Sequence, residues 1–148
     1  MTAATKGVPL GELANPQGLT EGVTMQRSNT MSNIVIVGSG PAGVSAALYA
    51  VRAGVQTTVL TKGSGALARA EKIENYYGFA QPVSGPELER RSIENARRLG
   101  VQFVQTEAVG LTWTDRLTVE TLAGAYPADA VILATGASRA VPRIPGLT

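Results

Sequence analysis

The chain has 148 residues, of which 44% are hydrophobic, and a formal net charge of +2, which predicts one modest core and one domain. It contains no cysteine and no histidine. Disulfides, thiol redox chemistry, cysteine or histidine metal ligands and histidine acid–base catalysis are therefore excluded within these residues, and no metal site is predicted. Balanced charge argues against nucleic-acid binding, and no apolar run has membrane-spanning length. The expected location is the cytoplasm.

The first 31 residues differ in composition from the rest of the chain. They are rich in Gly, Thr, Asn and Gln and show no sustained helical or strand period. Such composition predicts a disordered N-terminal extension. Residues 32–148 are the predicted domain.

An apolar strand at residues 33–37 runs into three glycines at fixed spacing. Gly38 permits a tight turn, Gly40 lets a pyrophosphate approach the backbone, and Gly43 allows close packing of helix and strand. The helix predicted over residues 41–53 directs its unpaired N–H groups and positive dipole end at such a phosphate. The pattern predicts a dinucleotide site; the alternative is a structural turn in another doubly wound fold.

The following segments extend this unit. A strand at residues 56–60 completes a β-α-β unit, and a glycine-containing loop follows at residues 62–67. Ser84 and Glu87 have the spacing of a capping box for a helix that continues to Leu99. Its predicted inner stripe is Leu88, Ser92, Ile93, Ala96 and Leu99. Four further strands are predicted at residues 101–105, 108–114, 116–122 and 125–134.

A second small-residue turn, residues 134–137 (Ala-Thr-Gly-Ala), ends the last predicted strand. Such a turn lets the backbone approach a ligand at the carboxyl edge of a sheet. Four motifs together resemble the FAD domain of flavoprotein disulfide reductases. They are this turn, the glycine fingerprint, residues 73–79 (Ile-Glu-Asn-Tyr-Tyr-Gly-Phe) and residues 84–88 (Ser-Gly-Pro-Glu-Leu). The low-molecular-weight thioredoxin reductases are the most similar group, and the resemblance covers residues 32–148.

The resemblance implies an α/β fold: a three-layer, Rossmann-like FAD/NAD(P)-binding domain with a parallel sheet and a β-meander, incomplete at its C-terminus. It also implies an oxidoreductase part that binds FAD and passes electrons from NAD(P)H to a disulfide or another acceptor. NAD(P)H is expected to bind a domain that this sequence lacks. No side chain is predicted to be catalytic.

The same resemblance implies a set of residues that contact the cofactor. The residues expected to bind the pyrophosphate are Gly38, Gly40, Pro41, Ala42 and Gly43. Near the adenosine lie Thr61 and Lys62 at the ribose and Ala108 at the adenine. Near the flavin lie Gly65, Ala66, Leu67 and Asn75, and the residues closing over the cofactor are Thr135 and Gly136.

Four residues depart from the expected patterns. Many dinucleotide folds have a ribose-binding acid about 20 residues after the fingerprint, where this chain has Thr61 and Lys62. Lys62 is a cation that could attract a 2′-phosphate, so NADP remains an alternative ligand. Ala66 replaces the family's usual glutamine near the flavin, and Tyr77 replaces a proline. Tyr76 or Tyr77 is predicted either to stack on the flavin or to belong to the core.

Residues 141–148 correspond to the family's crossover, near Pro145 and Gly146, into the NADPH domain with its Cys-x-x-Cys pair. The expectation is therefore a fragment, or a subunit completed by another polypeptide or by a homodimer. The alternative function is a truncated, non-catalytic nucleotide-binding module or a subunit of a split enzyme. An NAD(P) dehydrogenase is a third possibility, weakened because Lys6, Lys62 and Lys72, the only lysines, form no Tyr-x-x-x-Lys pair.

Overall fold

The structure, a computed structural model, describes residues 32–137. The predicted extension at residues 1–31 and the segment around Pro145 and Gly146 lie outside the described residues. In chain order the elements are β1 (Asn33–Val37), α1 (Pro41–Arg52), β2 (Gln56–Thr61), a 3-10 helix (Ala66–Arg69), α2 (Gly85–Arg98), β3 (Gln102–Gln105), β4 (Ala108–Trp113), β5 (Leu117–Thr121), β6 (Gly124–Ala128) and β7 (Ala130–Leu133).

A four-stranded parallel sheet in the order β3-β2-β1-β7 forms the centre of the domain. Alternate residues of β1 are buried on opposite faces, as expected for a strand covered on both sides. Ile36 packs with Val44 of α1 and Ala96 of α2, whereas Val35 packs with Val119 of β5. The fold prediction of helices, parallel sheet and meander in three layers is confirmed.

The two helices begin where the sequence predicts. Ser84 caps α2 by accepting the backbone N–H of Glu87 at 3.3 Å, but only half of the predicted capping box forms. The Glu87 carboxylate instead accepts hydrogen bonds from Arg90 and Arg91. Leu99, predicted to face inward, is 45% exposed because it lies just past the last helical turn. Neither α-helix within residues 32–137 is long and apolar enough to cross a membrane.

The single strand predicted at residues 125–134 is wrong, because the structure divides it at Asp129. β6 belongs to the antiparallel meander β4-β5-β6, whereas β7 joins the parallel sheet beside β1. The Asn33 backbone N–H donates to Asp129 Oδ2 at 2.8 Å, and Arg116 donates to Asp129 Oδ1 at 3.1 Å. These bonds fix the point where the chain passes from one sheet to the other.

Candidate functional site

The glycine turn between β1 and α1 is packed directly against the end of β7. Gly38 has φ of +114°, and a Cβ on it would overlap the carbonyl oxygen of Ala134. A Cβ on Gly43 would overlap the carbonyl oxygen of Gly38. Both positions therefore exclude side chains, and the first turn of α1 is held close to the sheet.

Gly40 differs from the other two glycines because open space lies in front of it. It is the N-cap of α1, and a Cβ there would meet no heavy atom of residues 32–137 within 4 Å. Among residues 32–137 no side chain caps this helix, and its first turn has no acidic residue. The backbone N–H groups that start α1 thus remain available to an anion, and the helix dipole favours negative charge there.

The carboxyl end of β2 adjoins this turn, and the carboxyl end of β3 lies beside that of β2. The buried Ser39 hydroxyl and the Thr61 hydroxyl are 2.7 Å apart, which ties the fingerprint to the end of β2. Lys62 Nζ lies 3.1 Å from Glu107 Oε1, beyond the end of β3. Ser39 and Glu107 are not among the site residues predicted from the sequence. A place in the site could have been predicted for Ser39, because it lies inside the fingerprint. Glu107 comes near the site only through the order of the strands, which the sequence does not show.

The 3-10 helix is anchored beside the fingerprint by the start of α2. The Gly85 N–H donates to the Ala70 carbonyl at 2.7 Å, and a Cβ on Gly85 would overlap the Leu67 carbonyl oxygen. Leu67 lines a small cavity of about 50 Å³ together with Gly40 and Pro41. The structure therefore brings Leu67 to the pyrophosphate residues, while Gly65 and Ala66, just before it, are exposed.

Asn75 lies in an exposed loop whose ends are joined. The N–H of Ile73 donates to the Val83 carbonyl at 2.9 Å, and the N–H of Val83 donates back at 3.1 Å. Tyr77 is 99% exposed and Tyr76 is 43% exposed, so neither tyrosine is a core residue. Tyr76 lines the same small cavity as Leu67. Stacking of either ring on a flavin stays a prediction.

The remaining predicted residues lie at two places around the sheet edge. Thr135 and Gly136 directly follow β7, and the Thr135 nitrogen would be 3.3 Å from a Cβ on Gly38. Exposed Ala42 lies in the first turn of α1. Ala108 begins β4 directly after Glu107 and packs against the core on the meander side. The fingerprint, the end of β2 and the end of β7 thus meet at one edge, as a dinucleotide site requires.

The open space at Gly40 and the uncapped start of α1 fit the diphosphate bridge of a dinucleotide. The part of the site beyond that bridge is formed mainly by hydroxyl groups, backbone and the Lys62–Glu107 pair. These groups can bind and orient a nucleotide, and none of them is a thiol or an imidazole.

Comparison with known proteins agrees with this geometry. The profile of the pyridine nucleotide-disulphide oxidoreductases matches residues 32–148. The bifunctional thioredoxin reductase/thioredoxin of Mycobacterium leprae is 39% identical over 127 residues, covering 83% of this chain and 28% of that protein. The thioredoxin reductase of Aquifex aeolicus is 36% identical over 82% of this chain and 39% of its own length.

Solved structures give the same result. A thioredoxin reductase from Gloeobacter violaceus superposes with a TM-score of 0.70 at 37% identity, covering 77% of this chain and 37% of that one. The resemblance inferred from the sequence motifs is therefore confirmed. The chain spans about two fifths or less of the length of these relatives.

Proposed function

Since the chain belongs to the pyridine nucleotide-disulphide oxidoreductase family, we propose that residues 32–148 are the FAD-binding part of a thioredoxin reductase-like oxidoreductase. In this proposal electrons pass from NAD(P)H through FAD to a disulfide or another acceptor. The supporting observation is the start of α1, where open space at Gly40 faces an uncapped helix N-terminus. The similarity to thioredoxin reductases is the reason for proposing FAD as the dinucleotide.

Each part of the site has a separate task in this proposal. The N–H groups of Ala42 and Gly43 hold the pyrophosphate, while Leu67 and Asn75 lie along the flavin side. FAD, when bound, supplies the hydride and electron transfer chemistry. The sequence has no cysteine, so none of these residues carries out thiol–disulfide exchange. The task of this chain is to bind and orient the cofactor.

The experiment is an FAD titration of the purified 148-residue chain, followed by visible flavin absorbance after desalting. The wild-type protein is expected to bind FAD. Gly40→Val is expected to abolish binding because the added side chain occupies the space facing the helix N-terminus, although it meets no protein atom there at Cβ. Gly110→Ala is the matched control, since a Cβ at this meander glycine makes ordinary contacts of 3.5 Å with Glu120.

Circular dichroism is the control that tests whether both variants keep the wild-type fold. Unchanged FAD affinity in a folded Gly40→Val protein would contradict the site assignment. Loss of binding in Gly110→Ala as well would show that the Gly40 effect is not local.

A second candidate is a non-catalytic nucleotide-binding module, or a subunit completed by another polypeptide. It is favoured by the absence of cysteine and histidine from these 148 residues, which leaves them without a thiol or an imidazole for redox or acid–base chemistry. Colourless protein that binds ADP but not FAD supports this candidate. Protein that retains flavin absorbance supports the first.

A further inference from the structure

The end of β2 lacks the carboxylate that many dinucleotide folds use to bind the adenosine ribose, but a carboxylate reaches this place from β3. β3 lies beside β2, with Gln105 opposite Thr61. Glu107 follows two residues later, and its Oε1 is 3.1 Å from Lys62 Nζ. An acid and a base therefore stand together where nucleotide folds of this kind recognise ribose.

The backbone around Glu107 is fixed from two sides. The N–H of Thr106 donates to the Thr61 carbonyl at 2.9 Å, and the N–H of Leu122 donates to the Glu107 carbonyl at 3.2 Å. The Glu107 side chain pairs with Lys62 and is 48% exposed, so its carboxylate is accessible to a ligand. Ser39 completes the connection to the fingerprint through its contact with Thr61.

We propose that Glu107 is a specificity-determining residue that selects an unphosphorylated adenosine ribose. Its carboxylate accepts hydrogen bonds from the ribose hydroxyls and repels a 2′-phosphate. It also neutralises Lys62, the cation that would otherwise attract such a phosphate. This inference rests on the proposed function, because it assumes that the site binds a dinucleotide, and it assigns FAD rather than an NADP-type ligand to the site.

The test is calorimetric titration of the full chain with ADP-ribose and with 2′-phospho-ADP-ribose, which differ only in the 2′-phosphate. The wild-type protein prefers ADP-ribose. Glu107→Gln shifts the affinity ratio by about tenfold or more toward the phosphorylated ligand, the size expected for a charge-assisted contact. Adding Lys62→Met to Glu107→Gln removes the gain in phosphate binding.

Glu94→Gln is the matched control, since Glu94 pairs with Arg90 on the exposed surface of α2, and it leaves the ratio unchanged. An unchanged ratio in a Glu107→Gln protein that still binds ADP-ribose overturns this inference and leaves the proposed function standing. Failure of the wild-type protein to bind ADP-ribose, 2′-phospho-ADP-ribose or FAD contradicts the proposed function and, with it, the inference.

Discussion

A methyl group at Gly43 tests how closely α1 is packed against the sheet. Its Cβ would overlap the Gly38 carbonyl oxygen and lie 3.3 Å from the Ala134 Cβ. Gly38 has little room to move aside, because its N–H donates to the Leu60 carbonyl at 2.8 Å and its own Cβ position is closed by Ala134. In Gly43→Ala, the start of α1 must therefore shift away from β1.

The expected loss of stability follows from two opposing effects. Overpacking a core costs about 1–3 kcal/mol, and the upper value applies here because the overlapping atom belongs to the backbone. Alanine recovers about 1 kcal/mol through its higher helix propensity. The net loss is then about 2 kcal/mol. For a domain of about 100 residues this lowers Tm by roughly 10 °C.

Urea denaturation and thermal circular dichroism measure this difference. Gly40→Ala is the matched control, since its Cβ meets no heavy atom of the described residues within 4 Å and its φ of −68° suits alanine. Its loss is expected to stay within about 1 kcal/mol, the usual effect of a poorer N-cap. Equal losses in the two variants, or wild-type stability in Gly43→Ala, would refute the packing argument.

Two further variants test the helix termini. Gly40→Ser introduces a hydroxyl that caps α1, so we expect a higher Tm without ligand and weaker FAD binding, measured by calorimetry; tighter binding would contradict this. Hydrogen bonds from Arg90 and Arg91 lower the pKa of Glu87 from 4.5 to about 2. The stabilisation of the fold by these hydrogen bonds is complete above pH 4.5 and is lost as the pH falls to about 2. Glu87→Gln should therefore lower Tm at pH 7 and match the wild type near pH 2; a pH-independent difference would contradict this.

The local elements around the fingerprint could be predicted from the sequence because their signals are local. Gly38, Gly40 and Gly43 have the spacing of a strand-to-helix turn, and Ser84 has the spacing of an N-cap. The structure places both helix starts at the predicted residues. At Gly38 and Gly43 a Cβ would overlap backbone atoms, so only glycine fits there and the close packing can be predicted from the sequence.

The features that could not be predicted from the sequence depend on contacts between distant residues. Nothing near Asp129 signals a change of sheet, because its partner Asn33 is 96 residues away. Glu107 faces Lys62 only because β3 lies beside β2, and strand order is a tertiary property. Leu99 fits the apolar stripe of α2 by spacing, but the helix ends before it.

Amide NMR of the labelled chain during an FAD titration tests most directly whether the start of α1 binds the diphosphate. We predict that the largest shifts occur at the backbone N–H groups of Gly40, Ala42 and Gly43, with smaller ones at Thr61 and Thr135. Saturable binding of FAD that leaves these amides unchanged and shifts others instead would contradict it.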